Sequence, residues 1–296
     1  MIIVRLNGGL GNQLFQYAAG KSLSIINNDI LKLDVADYYS KINQKQINRS
    51  LDITDFMITA SQADSSEIFR IKYPYGILSK IIRNINQKFF SRYYVDWHPQ
   101  ILQQKGDVYL DGYFQTEKYF FQNNNEILKE FILKPDFSRG IEPHLNVIKA
   151  TRTPISLHIR RGDFYDNPKT REHHLVCDVN FYRRAISFMQ EKFPGLHLFI
   201  FSDDPGWVRE NLLISVPYTI VSAERGAENS LRASQELVLI SKCSHHILSN
   251  SSFSWWGAYL NKSEAKIVLA PNIWIKGPIS QPNILAQGWV PFSISE

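Results

Sequence analysis

The sequence has few cysteines and no long apolar run. Cys177 and Cys243 are the only two cysteines among 296 residues, too few for a disulfide framework or for a zinc site built from thiolates. The opening apolar stretch ends by Gly8, so it is too short for the core of a signal peptide. No later stretch reaches the roughly 18 apolar residues of a membrane span. We therefore expect a cytoplasmic protein whose thiols are reduced and buried.

A strong excess of charge is also missing. The 33 basic and 28 acidic residues give a net charge of +5, which does not suggest a dedicated nucleic-acid binder. Only residues 68–95 are one-sided, because they hold basic and aromatic residues but no acidic ones. The basic side chains there are Arg70, Lys72, Lys80, Arg83, Lys88 and Arg92. Three interpretations stay open: a solvated helix that covers the first domain, a surface for peripheral contact with the inner membrane or a lipid-linked acceptor, or a nucleic-acid surface of basic and aromatic residues.

Short apolar runs alternate with helix-like stretches along the chain, which predicts an α/β fold with parallel sheets covered on both faces. The predicted strands are Ile2–Leu6, Ile30–Val35, Asp107–Leu110, Ile155–Ile159, His197–Phe201, Tyr218–Val221, His246–Leu248 and Ile267–Leu269. The clearest predicted helices are Leu14–Leu23, Val179–Lys192, Ser234–Ser241 and Phe253–Leu260. A polar stretch with several prolines precedes Ile155, so we expect two α/β domains, 1–145 and 146–296.

A pair of arginines follows the predicted strand Ile155–Ile159, in the segment His158-Ile-Arg-Arg-Gly-Asp163. Ligands of open α/β sheets bind beyond the carboxyl ends of the strands. The planar guanidinium group grips phosphate with two hydrogen bonds, so Arg160 and Arg161 suit a diphosphate leaving group. A solvated strand end is the ordinary explanation of such a pair, but the flanking His158 and Asp163 favour a binding site.

A glycine-rich turn, Asn7-Gly-Gly-Leu-Gly-Asn-Gln13, separates the first strand from the first helix. Glycines allow a tight turn and let backbone N–H groups approach a phosphate or sugar. Leu14 stands where the dinucleotide-binding fingerprint needs its third glycine, which counts against a dinucleotide-dependent oxidoreductase. A plain turn needs only one or two glycines, so we expect Gly11, Asn12 and Gln13 to serve binding.

Adjacent carboxylates occur in Ser202-Asp203-Asp204-Pro205, after another predicted strand. Asp203 and Asp204 suit a metal ion, the hydrogens of ribose or guanine, or a helix cap, although capping explains only one of them. The chain contains no D-x-D motif. Because two arginines are available to neutralise a leaving group, we expect that no metal is required.

Hydroxyl groups lead into a predicted helix in Asn250-Ser-Ser-Phe-Ser-Trp-Trp-Gly257. A helix cap accounts for one serine, and the N-terminus of a helix also favours anions. We therefore expect Ser251 and Ser252 to contact phosphate. Tryptophans in a short helix are more often core residues than stacking platforms, so the core is the favoured place for Trp255 and Trp256.

These motifs together resemble those of the glycosyltransferase family 11 α-1,2-fucosyltransferases, from the first strand to about Pro271. The resemblance implies a GT-B fold, in which two Rossmann-like domains face a central cleft, the first on the acceptor side and the second on the donor side. It also implies metal-independent, inverting transfer of L-fucose from GDP-β-L-fucose to the 2-hydroxyl of a terminal β-galactoside. Synthesis of O-antigen or another surface polysaccharide is the role that fits such an activity.

The resemblance also assigns roles to single residues. Arg160 and Arg161 hold the diphosphate, with His158 and Asp163 completing that motif. Asn12 faces the fucose side of the cleft. Ser251 and Ser252 add contacts to the phosphates, and Asp204 and Glu236 lie toward the guanosine. The donor site is also expected to include Gly11, Gln13, Asp203 and Phe253. Glu236 stands where the family is expected to carry aspartate.

Three points stay open at the level of the sequence. His158 and Asp163 are both candidates for the base that deprotonates the acceptor, and both are also candidates for partners of the arginines. Another nucleotide sugar is an alternative donor, and an oxidoreductase is the less favoured alternative activity.

Overall fold

A computed structural model describes residues 1–39, 49–76, 97–162, 177–223, 230–275 and 284–295. The chain divides into two compact units, the first containing Met1–Ile132 and the second beginning at Leu133. The domain boundary expected from the sequence, after residue 145, lies further along the chain than this division between Ile132 and Leu133. The segment after Leu133 groups with the second unit, where the Gln235 amide donates a hydrogen bond to the Phe137 carbonyl at 2.8 Å.

The first unit is a parallel sheet with helices beside it. Its strands are β1 (Ile2–Arg5), β2 (Leu31–Asp34), β3 (Ser61–Gln62) and β4 (Val108–Leu110), in the spatial order β3-β2-β1-β4. Its α-helices are α1 (Leu10–Asn27), α2 (Ala36–Tyr39), α3 (Ser65–Lys72) and α4 (Asn124–Leu128). Short 3-10 helices occupy Asp52–Asp55, Pro99–Gln103, Glu117–Tyr119 and Phe121–Asn123.

Helix α1 is the principal helix of this first unit. Its apolar residues Leu14, Phe15 and Ala18 are fully buried, as is strand β1 at Ile2–Val4, so the helix packs on the sheet through one continuous core. The helix ends where Asn28 adopts the left-handed conformation at φ 50° and its N–H returns to the carbonyl groups of Ile25 and Ser24.

The second unit contains a longer parallel sheet. Its strands are β5 (Pro154–Ile159), β6 (His197–Ser202), β7 (Tyr218–Ile220), β8 (His245–Ile247), β9 (Val268–Pro271) and β10 (Val290–Phe292), in the order β10-β9-β8-β5-β6-β7. Its α-helices are α5 (Pro135–Ser138), α6 (Glu142–Ala150), α7 (Val179–Lys192), α8 (Pro205–Asn211), α9 (Ala233–Ser241) and α10 (Ser252–Tyr259), with a 3-10 turn at Arg139–Ile141.

The sequence pattern of the central strands explains this arrangement. All six residues of β5 are buried, as expected for a strand in the middle of a sheet that helices cover on both faces. Helix α7 begins at an Asp178 cap, whose carboxylate accepts from the Phe181 N–H, and it buries Phe181, Ala185 and Met189 against that sheet. Trp255 and Trp256 are fully buried, which confirms their place in the core.

Strands and helices alternate in both units and both sheets are parallel, so the predicted α/β class is confirmed. Among the described residues, no helix combines the length and the apolarity that crossing a membrane requires.

Candidate active site

The carboxyl ends of β5 and β6 bring the two charged motifs together. The strands are parallel neighbours, and their register pairs Ile159 with Ser202. Arg160 and Arg161 therefore emerge directly beside Asp203 and Asp204, two segments about forty positions apart in sequence.

Each arginine has its own aspartate. Arg160 Nη1 lies 2.9 Å from Asp203 Oδ2, and Arg161 Nε donates to Asp204 Oδ2 at 3.3 Å. The Arg161 backbone N–H also donates to Asp203 Oδ1 at 2.8 Å. Two cations and two carboxylates leave this group of four without net charge. The arginines are consequently oriented hydrogen-bond donors, held in place before any ligand arrives.

The aspartates are fixed by the backbone around them. Asp204 caps helix α8 through the Trp207 N–H, which donates to Oδ1 at 3.0 Å. The Asp204 N–H donates to Ser202 Oγ, and the Ser202 N–H donates to Ser222 Oγ, both at 3.0 Å. The helix cap, which the sequence suggested, uses Oδ1 of Asp204, and the ion pair with Arg161 uses Oδ2, so one carboxylate serves both contacts.

Glu236 lies on α9 and extends the acidic side of this group. Burial raises the pKa of the Glu236 carboxyl to about 7, and the nearby charge of Asp203 acts in the same direction. A hydrogen bond with Ser222 opposes that rise. Glu236 and Asp203 therefore share one polar neighbourhood, and the raised pKa of Glu236 brings its ionisation into the neutral pH range.

His158 is buried beneath the arginines. Its Nδ1 lies 2.8 Å from Ser249 Oγ, and its ring lies 5.3 Å from that of Phe253. Burial, together with the charge of Arg160, lowers the pKa of His158 to about 3. The imidazole is therefore neutral at physiological pH. Its low pKa makes it a weak general base for the proton of a sugar hydroxyl.

The serine-rich segment combines caps with core contacts. Ser251 caps α10 by accepting from the Phe253 N–H at 3.3 Å, and Ser254 donates to the carbonyl groups of Ser249 and Ser251. The Asn250 amide donates to the Trp274 carbonyl at 3.0 Å. Ser252 and Phe253 are half-buried at the first turn of the helix. Three of these polar side chains thus shape the loop that follows β8.

The glycine-rich turn lies in the first unit. Gly8 has φ +76°, and a Cβ atom there would lie 2.6 Å from Asn12 Nδ2, so only glycine fits. The buried Gln13 amide donates to the carbonyl groups of Gly8 and Ser50 and accepts from the Ile53 N–H. Gln13 therefore braces the turn with its whole amide group, an arrangement that its assignment to binding did not anticipate. Gly11 is buried in the first turn of α1.

Asn12 has a different setting from Gln13. Its side chain is half-buried, and its Oδ1 accepts from Gln115 Nε2 at 2.8 Å. Gln115 follows Phe114, a bulky residue that adopts φ +51° after strand β4. Non-glycine residues take this conformation only where the surrounding structure enforces it. The turn after β4 is thereby aligned with the glycine-rich turn.

Some predicted residues lie outside the part of the chain that the structure describes. Asp163 is one of them, as are Lys80, Arg83, Lys88 and Arg92 of the basic segment. Of the remaining two, Arg70 is exposed, whereas Lys72 donates to the Tyr109 hydroxyl at 3.0 Å.

Several contacts were missed at the level of the sequence. Ser249 and Ser222 were not among the expected site residues, although their hydroxyl groups contact His158 and Ser202. Gln115 and Trp207 carried no signal, because their partners Asn12 and Arg161 are distant in sequence. Proximity of loops at a common sheet edge was the only available clue.

The chain is similar to known proteins in both sequence and fold. The family described as glycosyl transferase family 11 matches residues 1–292. The chain is similar to an alpha-1,2-colitosyltransferase of Escherichia coli, with 31% identity over 286 residues that cover 93% of each chain. It is also 28% identical to the O-antigen biosynthesis glycosyltransferase WbnK of Escherichia coli over 302 residues, which cover 96% of this chain and 98% of that protein.

Among solved structures, the chain is similar to NodZ alpha-1,6-fucosyltransferase co-crystallised with GDP. The TM-score is 0.57 at 15% identity, covering 88% of this chain and 91% of that one, so the likeness concerns the fold. The GT-B class predicted from the sequence is confirmed, since the similar structures are GT-B-type fucosyltransferases. Because the family match extends over almost the whole chain, the protein is a glycosyltransferase and belongs to glycosyl transferase family 11.

Proposed function

We propose that the protein transfers L-fucose from GDP-β-L-fucose to the 2-hydroxyl of a terminal β-galactoside, with inversion at the anomeric carbon and without a metal ion. The observation that carries this proposal is the arginine pair, fixed by Asp203 and Asp204 at the carboxyl end of β5. The protein named for colitose transfer forms an α-1,2 linkage, and NodZ was crystallised with GDP. The first name fits the proposed linkage, and the GDP bound to NodZ fits the proposed nucleotide, although NodZ is named for an α-1,6 linkage.

The arginines act on the leaving group. The acceptor oxygen attacks the anomeric carbon, the bond from that carbon to the diphosphate breaks, and GDP departs with both electrons. Negative charge therefore grows on the diphosphate as the reaction proceeds. Arg160 and Arg161 donate hydrogen bonds to that charge from fixed positions, so no reorganisation is needed in the transition state.

His158, which is buried two residues before Arg160, is proposed to support the arginines as a neutral imidazole. Its contact with Ser249 fixes the ring, and the proximity of Arg160 opposes a second positive charge. Asp163 remains the other proposed member of this group. The acceptor proton leaves to a carboxylate or to water, because the low pKa of His158 makes the imidazole a poor base.

The guanosine side of the proposed donor site is Asp203, Asp204 and Glu236, with Ser251, Ser252 and Phe253 proposed at the phosphates. A carboxylate that accepts two guanine N–H groups gives base selectivity. We place Asn12 at the sugar, as the resemblance implies. A galactose-terminated acceptor, free or lipid-linked, and a role in surface-polysaccharide synthesis at the inner membrane complete the proposal; the similarity to an O-antigen glycosyltransferase supports that role.

A colitose donor is the second candidate, and the 31% identity to a colitosyltransferase favours it. Colitose is fucose without its 3-hydroxyl group, so both sugars can use the same diphosphate contacts. A site that hydrogen-bonds the 3-hydroxyl of fucose discriminates strongly against a donor that lacks this group.

The test is acceptor-dependent release of GDP in EDTA. Purified protein is mixed with a panel of β-galactosides and with GDP-fucose, the corresponding colitose donor or GDP-mannose. We expect turnover with GDP-fucose and none with GDP-mannose. Faster turnover with the colitose donor supports the second candidate, and turnover only after metal addition contradicts the metal-free mechanism.

Arg160→Ala links that activity to the site. Loss of a charge-stabilising contact typically lowers kcat by about 100-fold or more. Arg183→Ala is the matched control, since Arg183 is a surface arginine that donates to the Asn211 carbonyl on the same unit. Equal activity of the two variants contradicts the role of Arg160.

A further inference from the structure

Trp207 holds the guanidinium group of Arg161 against its ring. The Arg161 Cζ atom lies 4.0 Å from the centroid of the indole. At that distance the cation interacts with the negative face of the ring, and tryptophan is the side chain that makes this interaction strongest. Arg161 is therefore held by an aromatic face as well as by its carboxylate partner.

Asp204 connects the two side chains. Its Oδ2 accepts from Arg161 Nε at 3.3 Å, while its Oδ1 accepts from the Trp207 backbone N–H at 3.0 Å. The carboxylate that starts helix α8 therefore also sets the distance between the indole and the guanidinium group. Arg161, Asp204 and Trp207 form one unit, which we call the Arg161 clamp.

The hydrophobic core anchors the clamp. Trp207 is half-buried and packs against the core between β5, β6 and α7, next to buried Val208. The ring is thus fixed from behind, and the Arg161 side chain is only 16% exposed. A free arginine side chain loses rotamer entropy when a ligand orders it. In the clamp most of that loss has already occurred on folding.

We propose that Trp207 is a positioning residue that orients Arg161 for the diphosphate of the donor. This inference rests on the proposed function, in which Arg161 contacts that diphosphate. Trp207 acts through the arginine, and the surface of the indole that carries the guanidinium is the part that matters. The predicted consequence is weaker binding of GDP when the ring is removed, with no comparable change in acceptor affinity.

The experiment is a double-mutant cycle on GDP affinity, measured by calorimetry. Trp207→Leu is expected to weaken GDP binding about 2- to 30-fold, the range of a single cation–π interaction. Arg161→Met removes the cation and keeps the length of the side chain. In the Arg161→Met background, Trp207→Leu is expected to change GDP affinity by less than about twofold, since its partner is gone.

Kinetics separate positioning from general damage to the fold. Trp207→Leu should raise the KM for the donor and leave the KM for the acceptor unchanged. Trp207→Phe, which keeps an aromatic face, should recover most of the GDP affinity. Phe188→Leu is the matched control: Lys192 lies 5.2 Å from the Phe188 ring, and Phe188 packs against the same core. This control should leave GDP affinity unchanged.

Two results for the Trp207→Leu variant overturn the inference. One is unaltered GDP affinity in Trp207→Leu when Arg161→Met binds GDP weakly. The other is an equal loss in both backgrounds, which means that the indole contacts the donor itself. If Arg161→Met binds GDP as tightly as the wild type, the proposed diphosphate contact fails and the inference fails with it. Should the leucine variant not fold, Trp207→Met, which also removes the aromatic face, gives the same comparison with the same expected loss.

Discussion

Replacing Glu236 with glutamine tests the electrostatics of the site directly. Burial raises the pKa of this carboxyl from 4.5 to about 7, and Asp203 adds to the rise. In the unfolded chain the group ionises near its ordinary value. Folding therefore favours the protonated form, and the stability that this group contributes is present below pH 4.5 and is lost as the pH rises through 7.

The size of the effect follows from the pKa shift. Each pKa unit corresponds to about 1.4 kcal/mol, so a rise in pKa from 4.5 to about 7 destabilises the wild type by about 3 to 4 kcal/mol above pH 8. Glutamine is close in shape and carries no charge, and Ser222 can still donate to its oxygen. Glu236→Gln should therefore match the wild type near pH 4.5 and become more stable than it as the pH rises.

Urea denaturation at a series of pH values measures this difference. Effects of the other titrating groups are common to both proteins and cancel in the comparison. A stability difference between the two proteins that does not change between pH 5 and pH 8 would show that folding does not raise the pKa of Glu236. GDP affinity gives a second reading, since loss of the carboxylate should weaken nucleotide binding in Glu236→Gln while stability at pH 8 rises, a conflict between stability and function.

Three further predictions concern other parts of the molecule. Buried His246 contacts Ser156 Oγ at 2.7 Å, and burial lowers the pKa of His246 to about 3. Only the unfolded chain binds a proton at this residue between pH 7 and pH 5, so the stability of the wild type relative to His246→Gln should fall by about 2 kcal/mol over that range. Urea denaturation measures this difference, and a constant value would contradict the prediction. Gly8→Ala should destabilise the protein by about 1–2 kcal/mol or more in thermal unfolding, because alanine is strained at φ +76°; an unchanged Tm would show that the turn adapts. Gln13→Ala should lower the Tm by loosening the turn while GDP affinity stays near that of the wild type, and selective loss of GDP affinity at unchanged Tm would restore Gln13 to binding.

The sequence predicted the central strands well because each is a short apolar run buried on both faces. All eight predicted runs overlap observed strands, namely β1, β2 and the six strands from β4 to β9. Strand β3 was missed because Ser61–Gln62 is exposed and only two residues long. Strand β10, Val290–Phe292, lies at the edge of its sheet, contains a proline and was likewise missed. The other two edge strands, β4 and β7, were predicted because each keeps a short apolar run, whereas β3 has no apolar residue and β10 is interrupted by Pro291.

The residues of the candidate site were likewise predicted in part. Motifs contiguous in sequence were recognised, among them Arg160–Arg161 and Asp203–Asp204, because their chemistry can be inferred without a partner. Contacts between distant segments were not recognised. The stacking of Arg161 on Trp207 and the use of the Gln13 amide by Ser50 and Ile53 depend on how loops meet in the folded protein. No local sequence pattern indicates which of these loops are in contact.

The most direct measurement is the structure of the glycan product. The protein is incubated in EDTA with GDP-fucose and a terminal β-galactoside, and the new bond is determined by NMR. We predict an α-linked fucose on the 2-hydroxyl of galactose, with GDP released in equal amount and with Arg160→Ala forming at least about 100-fold less product per unit time. Transfer to another hydroxyl, retention of the β configuration, or full activity of Arg160→Ala would contradict the account.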